Sequence, residues 1–269
     1  MFIKKSDYKY IVNVLLNISK LACEEILNIY NNKFLYTKKS DNSPLTLADI
    51  NSHKIIINYL TEYFPNIPII SEESDNVNNK VISEFFLVDP LDGTKEFIKK
   101  NDEFTVNIAL IQNKKPILGV VSLPVENKHF YTDGFESFVI LNKEKPNRIS
   151  SQNQSKRIKV LVSRSHLDNK TKQLLEFIDN PIIQKKGSSI KLCLIASGES
   201  HLYVRFGNTM EWDIAAGHAI LKNAGANLYD LSFAEVSYNK NNFLNSPFFV
   251  CSNSFKKEIV NLLKDKNLK

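Results

Sequence analysis

The segment from Phe85 to Thr94 reads FFLVDPLDGT and joins an apolar run to an acidic turn. Its first four residues are apolar and rich in strand-forming side chains, which is typical of a buried β-strand. Pro90 cannot donate a hydrogen bond to a neighbouring strand, and Asp92 followed by glycine favours a turn, so we expect the strand to end here. The turn then offers two carboxylates, a carbonyl and a hydroxyl, the oxygen ligands that Mg²⁺ prefers. A turn that only caps the strand is the alternative, and this segment alone does not exclude it.

Two other segments also place acidic residues beside apolar runs. Glu72 and Glu73 follow a short apolar run, and Glu211 and Asp213 lie at the start of an apolar stretch that reaches residue 226. Taken singly, the glutamates could form a solvated face, and Asp213 could be a first-turn acid stabilised by a helix dipole. Taken with the Asp89 turn, the three acidic ends predict a shared cation site.

Four motifs give the chain a resemblance to the inositol-monophosphatase-like family of magnesium-dependent, lithium-sensitive phosphatases. In the family's order and spacing they are DNSPLTLAD at 41–49, SEE at 71–73, DPLDGTKEF at 89–97 and WDIAAGH at 212–218. Within the family, the chain resembles the 3′(2′),5′-bisphosphate nucleotidases through KEFIK at 95–99, FTVNIAL at 104–110, SRSH at 163–166 and GSSIK at 187–191. The resemblance runs from about residue 41 to about residue 249.

The resemblance implies chemical roles for residues at matching positions. The implied ligands for roughly two or three Mg²⁺ ions are Glu72, Asp89, Asp92, Asp213 and the carbonyl of Leu91. Asp49 and Thr94 match the pair that orients and deprotonates the attacking water, and Li⁺ is the implied inhibitor. Neighbouring side chains on an extended segment point to opposite faces, so only one of Glu72 and Glu73 should reach the metal, and the resemblance favours Glu72.

The implied substrate-binding positions are Gly93, Thr94, Ser163, His166, Gly187, Lys191 and Arg205. Arginine is scarce in this lysine-rich chain, so Arg164 and Arg205, beside site motifs, suggest planar donors that bind phosphate. A surface ion pair is the alternative for Arg205. A lone histidine is more often structural than functional, but His166 follows a predicted strand end on the substrate side.

The implied reaction is hydrolysis of the 3′-phosphate of adenosine 3′,5′-bisphosphate (PAP) to AMP and phosphate, with the sulfated analogue PAPS as a further substrate. This function would belong to sulfate assimilation. The alternative enzyme is an inositol monophosphatase-type sugar or polyol phosphatase. A non-catalytic magnesium or nucleotide sensor would lack a ligand, whereas every expected acid is present. An RNA-binding module would need a localised basic patch, whereas the lysines behind the net charge of +6 are dispersed.

The 269 residues, 43% of them hydrophobic, predict a globular protein without a signal peptide or a membrane-spanning run. We therefore expect a cytoplasmic enzyme, a monomer or homodimer that acts on a small nucleotide; the resemblance also allows peripheral association with the cytoplasmic face of the inner membrane. Cys23, Cys193 and Cys251 lie in apolar segments and are expected to be buried thiols.

Hydrophobic periodicity predicts a different organisation for each half of the chain. Residues 1–150 should form an α+β half with an antiparallel sheet and most of the metal ligands, and residues 151–269 an α/β half with Asp213 and the substrate-binding residues. The first half has predicted helices from Ser6 and over 47–63 and predicted strands at 85–88, 104–111, 117–123, 128–132 and 137–141, with a polar loop at 38–46 and a linker at 143–156. The second has predicted strands at 158–163, 182–185, 201–206, 227–231 and 248–251, and helices at 168–178, 188–197, 212–224 and 254–264. The family resemblance implies a layered αβαβα sandwich of the inositol monophosphatase/fructose bisphosphatase type.

Overall fold

The structure is a computed structural model that describes residues 3–39, 43–74, 82–142, 144–152, 157–165 and 167–265. Its α-helices are α1 (Tyr8–Tyr30), α2 (Leu47–Tyr63), α3 (Thr94–Ile98), α4 (Asn169–Glu176), α5 (Ile190–Ala196), α6 (Glu211–Asn223) and α7 (Lys256–Asp265). The strands of the first half are β1 (Tyr36–Lys38), β2 (Pro44–Thr46), β3 (Ile69–Ser71), β4 (Glu84–Asp92), β5 (Thr105–Gln112), β6 (Lys115–Leu123), β7 (Lys128–Thr132), β8 (Ser137–Leu141) and β9 (Asn147–Arg148). Those of the second are β10 (Lys159–Ser163), β11 (Ile182–Lys186), β12 (Leu202–Arg205), β13 (Ala226–Asp230) and β14 (Phe248–Ser252).

Two sheets and three helical layers alternate through the molecule. A seven-stranded sheet runs in the order β3-β4-β5-β6-β7-β8-β9, and a five-stranded sheet in the order β11-β10-β12-β14-β13. Helices α1 and α2 cover the outer face of the first sheet, and α4 and α7 cover the outer face of the second. Helices α5 and α6 lie between the sheets in a shared apolar core. The αβαβα prediction is confirmed.

Strand periodicity explains why β4 has helices on both faces. Phe86 and Val88 pack with α1 and α2, whereas Phe85 and Leu87 pack in the core that contains α6. Side chains on a strand alternate between its faces, so a continuous apolar run is the pattern expected for a sheet covered on both sides. Each helical layer therefore finds an apolar surface to cover.

The predicted strand end before Pro90 is wrong. Strand β4 continues to Asp92, but its pairing with β5 shifts register between Asp89 and Asp92. Such an irregularity accommodates a residue that cannot donate to the ladder. The backbone N–H of Leu91 instead donates to Asp89 Oδ1 at 3.1 Å, and the two aspartates stay in the sheet rather than on a loose turn.

Most element boundaries agree with the periodicity to within two residues. Helix α1 starts at Tyr8, two residues after the predicted Ser6, and follows a short 3-10 turn. The predicted polar loop at 38–46 contains β2 and the end of β1, which form an antiparallel hairpin, and the predicted linker at 143–156 contains β9, which pairs with β8. Residues 40–42, 143 and 153–156 of these two segments lie outside the described residues.

Two predictions from composition can also be compared with the structure. Cys23, Cys193 and Cys251 are free thiols and are buried, as predicted. Within the part of the chain that the structure describes, none of the helices combines the length and apolar character needed to cross a lipid bilayer.

Helix α6 approaches the first sheet closely because Gly119 of β6 has no side chain. A Cβ atom at Gly119 would lie 2.3 Å from the carbonyl oxygen of Ala216. Ala215, Ala216 and Ala219 of α6 are small and buried, so the helix can lie almost against the strand backbone. This contact sets the position of the first turn of α6, which carries Asp213.

We expect Gly119→Ala to lower the free energy of unfolding by about 1–3 kcal/mol or more, because the added methyl group would overlap the backbone of α6. Urea denaturation monitored by circular dichroism measures the change. Gly207→Ala is the matched control, since a Cβ there would meet its nearest atoms at 3.5 Å, an ordinary contact. Equal stability of the two variants would contradict the close packing of α6 on β6.

Candidate active site

A cleft of about 300 Å³ lies between strand ends of the first sheet and strand ends of the second. Most of the predicted site residues line this cleft. Its lining includes these predicted positions: Glu72, Asp89, Leu91, Asp92, Gly93, Thr94, Ser163, Gly187, Lys191, Arg205 and Asp213. Asp49 reaches this set through a hydrogen bond to Thr94. His166 lies outside the described residues, so its substrate-binding role stays a prediction.

Three carboxylates from three separate elements converge in this cleft. Glu72, Asp89 and Asp213 each offer an oxygen atom, and these atoms all lie within 4.8 Å of one another. Glu72 follows β3, Asp89 lies in the irregular part of β4, and Asp213 lies in the first turn of α6. Burial and the neighbouring acids raise the pKa values of Asp89 and Asp213 well above the ordinary range. Like charges held so close are unfavourable without a cation, and the all-oxygen donor set fits a hard divalent ion.

Asp213 also stabilises the helix that carries it. Its Oδ2 accepts a hydrogen bond from the Met210 N–H at 2.8 Å, at the start of α6. The helix-terminus interpretation and the metal-ligand interpretation are therefore compatible, since a carboxylate has a second oxygen. Its neighbour Glu211 turns away and accepts from the N–H groups of Asn239 and Lys240.

Asp92 lies on the side of the cleft that faces the second half of the chain. It is not part of the group that lies within 4.8 Å, and its Oδ2 accepts a hydrogen bond from the Ser189 N–H at 2.6 Å. Burial raises the pKa of Asp92 to about 6, although Lys191 and the Ser189 N–H oppose the shift. Asp92 therefore connects the cluster of Glu72, Asp89 and Asp213 to the side of the cleft formed by the second half of the chain.

The Thr94 hydroxyl is held by a buried carboxylate. Thr94 Oγ1 donates to Asp49 Oδ1 at 2.9 Å, and Asp49 Oδ2 accepts from the N–H and hydroxyl of Thr46 at 2.7 and 2.6 Å. Thr46 and Asp49 form the capping box of α2, a pairing typical of helix starts. Burial raises the pKa of Asp49, while the hydrogen bonds from Thr46 and Thr94 oppose that rise.

Lys39 is a site residue that sequence reasoning missed. Its Nζ lies 2.8 Å from Glu72 Oε1 and 2.6 Å from Glu73 Oε1. Burial by itself would lower the pKa of Lys39, but the two glutamates outweigh it and raise the pKa. Burial acts in the other direction on the Glu73 carboxyl and raises its pKa to about 7, although Lys39 opposes the shift. One lysine among many has no distinguishing sequence signal, and only the β1–β2 hairpin brings it here.

The opposite wall comes from the strands of the second sheet. Ser163 ends β10 and Arg205 ends β12, which run parallel, while Gly187 follows β11 and Lys191 lies in α5. Strand ends of this kind are common ligand sites in open α/β sheets. Lys191 is buried, and this burial lowers its pKa to about 8 although Asp92 opposes the shift. Its Nζ donates to the carbonyl oxygen atoms of Lys186 and Ser188.

The interpretation of Arg164 as a phosphate donor is wrong. Its Nε and Nη2 donate to the two carboxylate oxygens of Glu103 at 2.6 and 2.7 Å, so the planar donor face is occupied within the protein. Sequence reasoning missed Glu103, and its place between Asp102 and Phe104 carries no local signal. The pairing spans 61 residues and becomes visible only in the fold.

Comparisons with known proteins agree with this geometry. The chain matches the family model described as the Inositol monophosphatase family over residues 7–267. It is 41% identical over 240 residues to the 3′(2′),5′-bisphosphate nucleotidase CysQ of Escherichia coli (strain K12), covering 87% of this chain and 96% of that protein. The crystal structure of CysQ from Bacteroides thetaiotaomicron aligns with a TM-score of 0.78 at 35% identity, covering 90% of this chain and 97% of that one. An IMPase from Thermotoga maritima has a TM-score of 0.79 at 20% identity, covering 96% and 99%, which shows likeness of fold alone.

If Mg²⁺ binds at Glu72, the Lys39 ammonium group would compete with the ion, so we expect Lys39→Ala to tighten Mg²⁺ binding. The expected gain is about two- to fivefold in affinity, the usual worth of a partly exposed ion pair. Calorimetric titration of the purified protein with Mg²⁺ measures it. Lys222→Ala is the control, since Lys222 forms an ion pair of similar length with Glu235. Weaker Mg²⁺ binding by Lys39→Ala would show that Lys39 supports the site instead.

Proposed function

This chain belongs to the inositol monophosphatase family, and we propose that it is a 3′(2′),5′-bisphosphate nucleotidase. The proposed reaction is hydrolysis of the 3′-phosphate of PAP to AMP and phosphate, with PAPS as a further substrate. The observation that carries the proposal is one cleft with two differently charged walls. One side of the cleft has the Thr94–Asp49 hydrogen bond and the three clustered carboxylates, which are those of Glu72, Asp89 and Asp213. Lys191 and Arg205 line the other side. The names of its relatives support the same activity.

The family is metal-dependent, and we propose Mg²⁺ as the ion used by this chain. The residues proposed to hold it are Glu72, Asp89, Asp92, Asp213 and the carbonyl of Leu91. Mg²⁺ bound there would lower the pKa of a water molecule and offset the charge of the phosphate. Li⁺, with a single charge, is the proposed inhibitor of this site.

Thr94 and Asp49 are proposed to orient the attacking water and take its proton. Because the Thr94 hydroxyl donates to Asp49, its lone pairs can accept a hydrogen bond from water. As the water oxygen bonds to phosphorus, its proton passes to Thr94, and the Thr94 proton passes to Asp49. The bond from phosphorus to the 3′-oxygen breaks, that oxygen takes a proton from a second water molecule, and the hydroxide so formed takes the proton held on Asp49. The raised pKa of buried Asp49 favours its role as the acceptor.

The opposite wall is proposed to recognise the rest of the nucleotide. Lys191 and Arg205 supply positive charge for the second phosphate, and Ser163 and Gly187 line the space beside them. Gly93 and Thr94 are proposed to contact the reacting phosphate. An inositol phosphate with a single phosphate group has no need of this second cationic wall, which is why we favour the nucleotide.

We further propose that the enzyme acts in the cytoplasm on a free nucleotide. The division into a half with most metal ligands (1–150) and a half with the substrate wall (151–269) is part of the same proposal. In this proposal catalysis requires both halves of the chain, because Asp213 of the second half lies close to Glu72 and Asp89 of the first half.

Steady-state kinetics on PAP, PAPS, 3′-AMP and inositol 1-phosphate tests the function. We expect the highest kcat/KM on PAP or PAPS, complete loss of activity with excess EDTA, and inhibition by Li⁺. Asp213→Asn serves as the control for contaminating phosphatases, since it removes a proposed ligand and should abolish turnover. Preference for inositol 1-phosphate would identify a polyol phosphatase, and full activity in EDTA would contradict the metal mechanism.

Thr94→Ala and Asp49→Asn should each lower kcat by about 10²–10⁴-fold and change KM little, because proton removal matters mainly in the transition state. Thr61→Ala, on the exposed face of α2, is the matched control and should leave both parameters unchanged. An effect confined to KM would reassign Thr94 and Asp49 to substrate binding.

A further inference from the structure

Glu103 connects the two halves of the chain beside the cleft. It lies between α3 and β5 of the first half, and only 10% of its side chain is exposed. Its Oε2 accepts hydrogen bonds from Arg164 Nε at 2.6 Å and from the Gly187 N–H at 2.8 Å. Its Oε1 accepts from Arg164 Nη2 at 2.7 Å and lies 3.2 Å from Lys186 Nζ. These four contacts come from three residues, all in the second half.

The charge of Glu103 is well stabilised by these partners. Burial would raise its pKa, but the hydrogen bonds from Arg164, the Gly187 N–H and Lys186 outweigh burial and hold the pKa below its ordinary value. Charge-assisted hydrogen bonds are short and directional, and a bidentate pair with arginine also fixes orientation. Glu103 therefore acts as a rigid acceptor for the backbone at residue 187.

The backbone at Gly187 is packed against the first half. A Cβ atom there would lie 2.8 Å from Glu96 Cγ and 2.9 Å from the Glu103 carbonyl oxygen. Glu96 Oε1 also accepts a hydrogen bond from Ser165 Oγ at 2.6 Å. Two neighbouring chain segments of the substrate wall, 163–165 and 186–187, are thus attached to Glu96 and Glu103.

The same attachment continues into α5. The Ser189 N–H donates to Asp92, and Ser189 Oγ donates to Asn107 Oδ1 at 2.8 Å and lies 2.7 Å from Thr105 Oγ1. Lys191 follows within the same turn, and its Nζ donates to the carbonyl of Ser188. The position of Lys191 in the cleft therefore depends on where residues 187–189 are held.

We propose that Glu103 is a positioning residue for substrate recognition. Its carboxylate holds Gly187, and through residues 187–191 it sets the distance between Lys191 and the Gly93–Thr94 turn, which is proposed to contact the reacting phosphate. Binding groups must be placed to within about 0.5 Å to contribute fully. The inference rests on the proposed function, because it assigns Glu103 to recognition of the part of the nucleotide away from the reacting phosphate.

Glu103→Gln is the informative change, because it keeps the volume but removes the charge and weakens the bond to Gly187. Arg164 is 41% exposed, so it can regain water and the cost to folding is limited. We expect KM for PAP to rise about tenfold, equivalent to about 1.4 kcal/mol. The loss of kcat/KM on p-nitrophenyl phosphate, which lacks the second phosphate and the base, should be less than about threefold.

Two further variants separate positioning from stability. Arg164→Lys keeps the bond between Glu103 and the Gly187 N–H, so it should raise KM for PAP less than Glu103→Gln. Glu136→Gln removes an ion pair with Arg148 at the surface, 2.9 Å long, and should change neither substrate's kinetics. Thermal denaturation and Mg²⁺ titration of each variant show whether the fold or the metal site has changed.

Equal losses on PAP and on p-nitrophenyl phosphate would overturn the inference, as would an unchanged KM for PAP in Glu103→Gln. If Glu103→Gln does not fold, a larger KM for PAP in Arg164→Lys than in Glu136→Gln supports the inference, and equal values overturn it. Failure of the proposed function is visible separately. In that case the wild-type enzyme itself shows no preference for PAP over the small phosphate, and the inference fails with it.

Discussion

The structure depends on bringing three carboxylates, one buried and two partly exposed, into one place. Glu72, Asp89 and Asp213 offer oxygen atoms within 4.8 Å of one another, although the chain separates the first from the last by more than half its length. Negative charges so close together repel in a medium of low dielectric constant, so the surrounding fold must hold them there. It does so with the irregular end of β4 and with α6, which lies against β6 where Gly119 has no side chain.

Several of the acids in the cleft also stabilise local backbone. Asp49 completes the capping box of α2, Asp213 accepts from the Met210 N–H at the start of α6, and Asp92 accepts from the Ser189 N–H. A carboxylate can do both because its two oxygens accept independently. The backbone contact limits the side chain to one orientation, so the second oxygen is presented to the cleft without a further loss of conformational freedom.

Lys191 and Lys39 are held near the cleft in different ways. Lys191 lies in a segment that is hydrogen-bonded to the first half through Glu103 and Asp92. Lys39 reaches Glu72 and Glu73 from the short β1–β2 hairpin, and its two contacts are ion pairs. Ion pairs of partly exposed side chains contribute little energy, whereas buried charge-assisted hydrogen bonds contribute more. Lys191 is therefore the more firmly placed of the two lysines.

The sequence by itself determined the parts of this protein that depend on local pattern. Helix α2 and strands β5 to β8 follow from apolar periodicity, and the group formed by Glu72, Asp89 and Asp213 was predicted from acids at element ends and from family motifs. Tertiary structure alone decided the partner of Arg164, the place of Lys39 and the pairing of β9, which join residues that lie far apart or carry no distinctive local signal. Continuation of β4 through Pro90 was also decided there, because the register shift depends on its pairing with β5. Local propensity acts over a few residues, whereas a salt bridge across 61 residues exists only once both sheets have packed on α5 and α6.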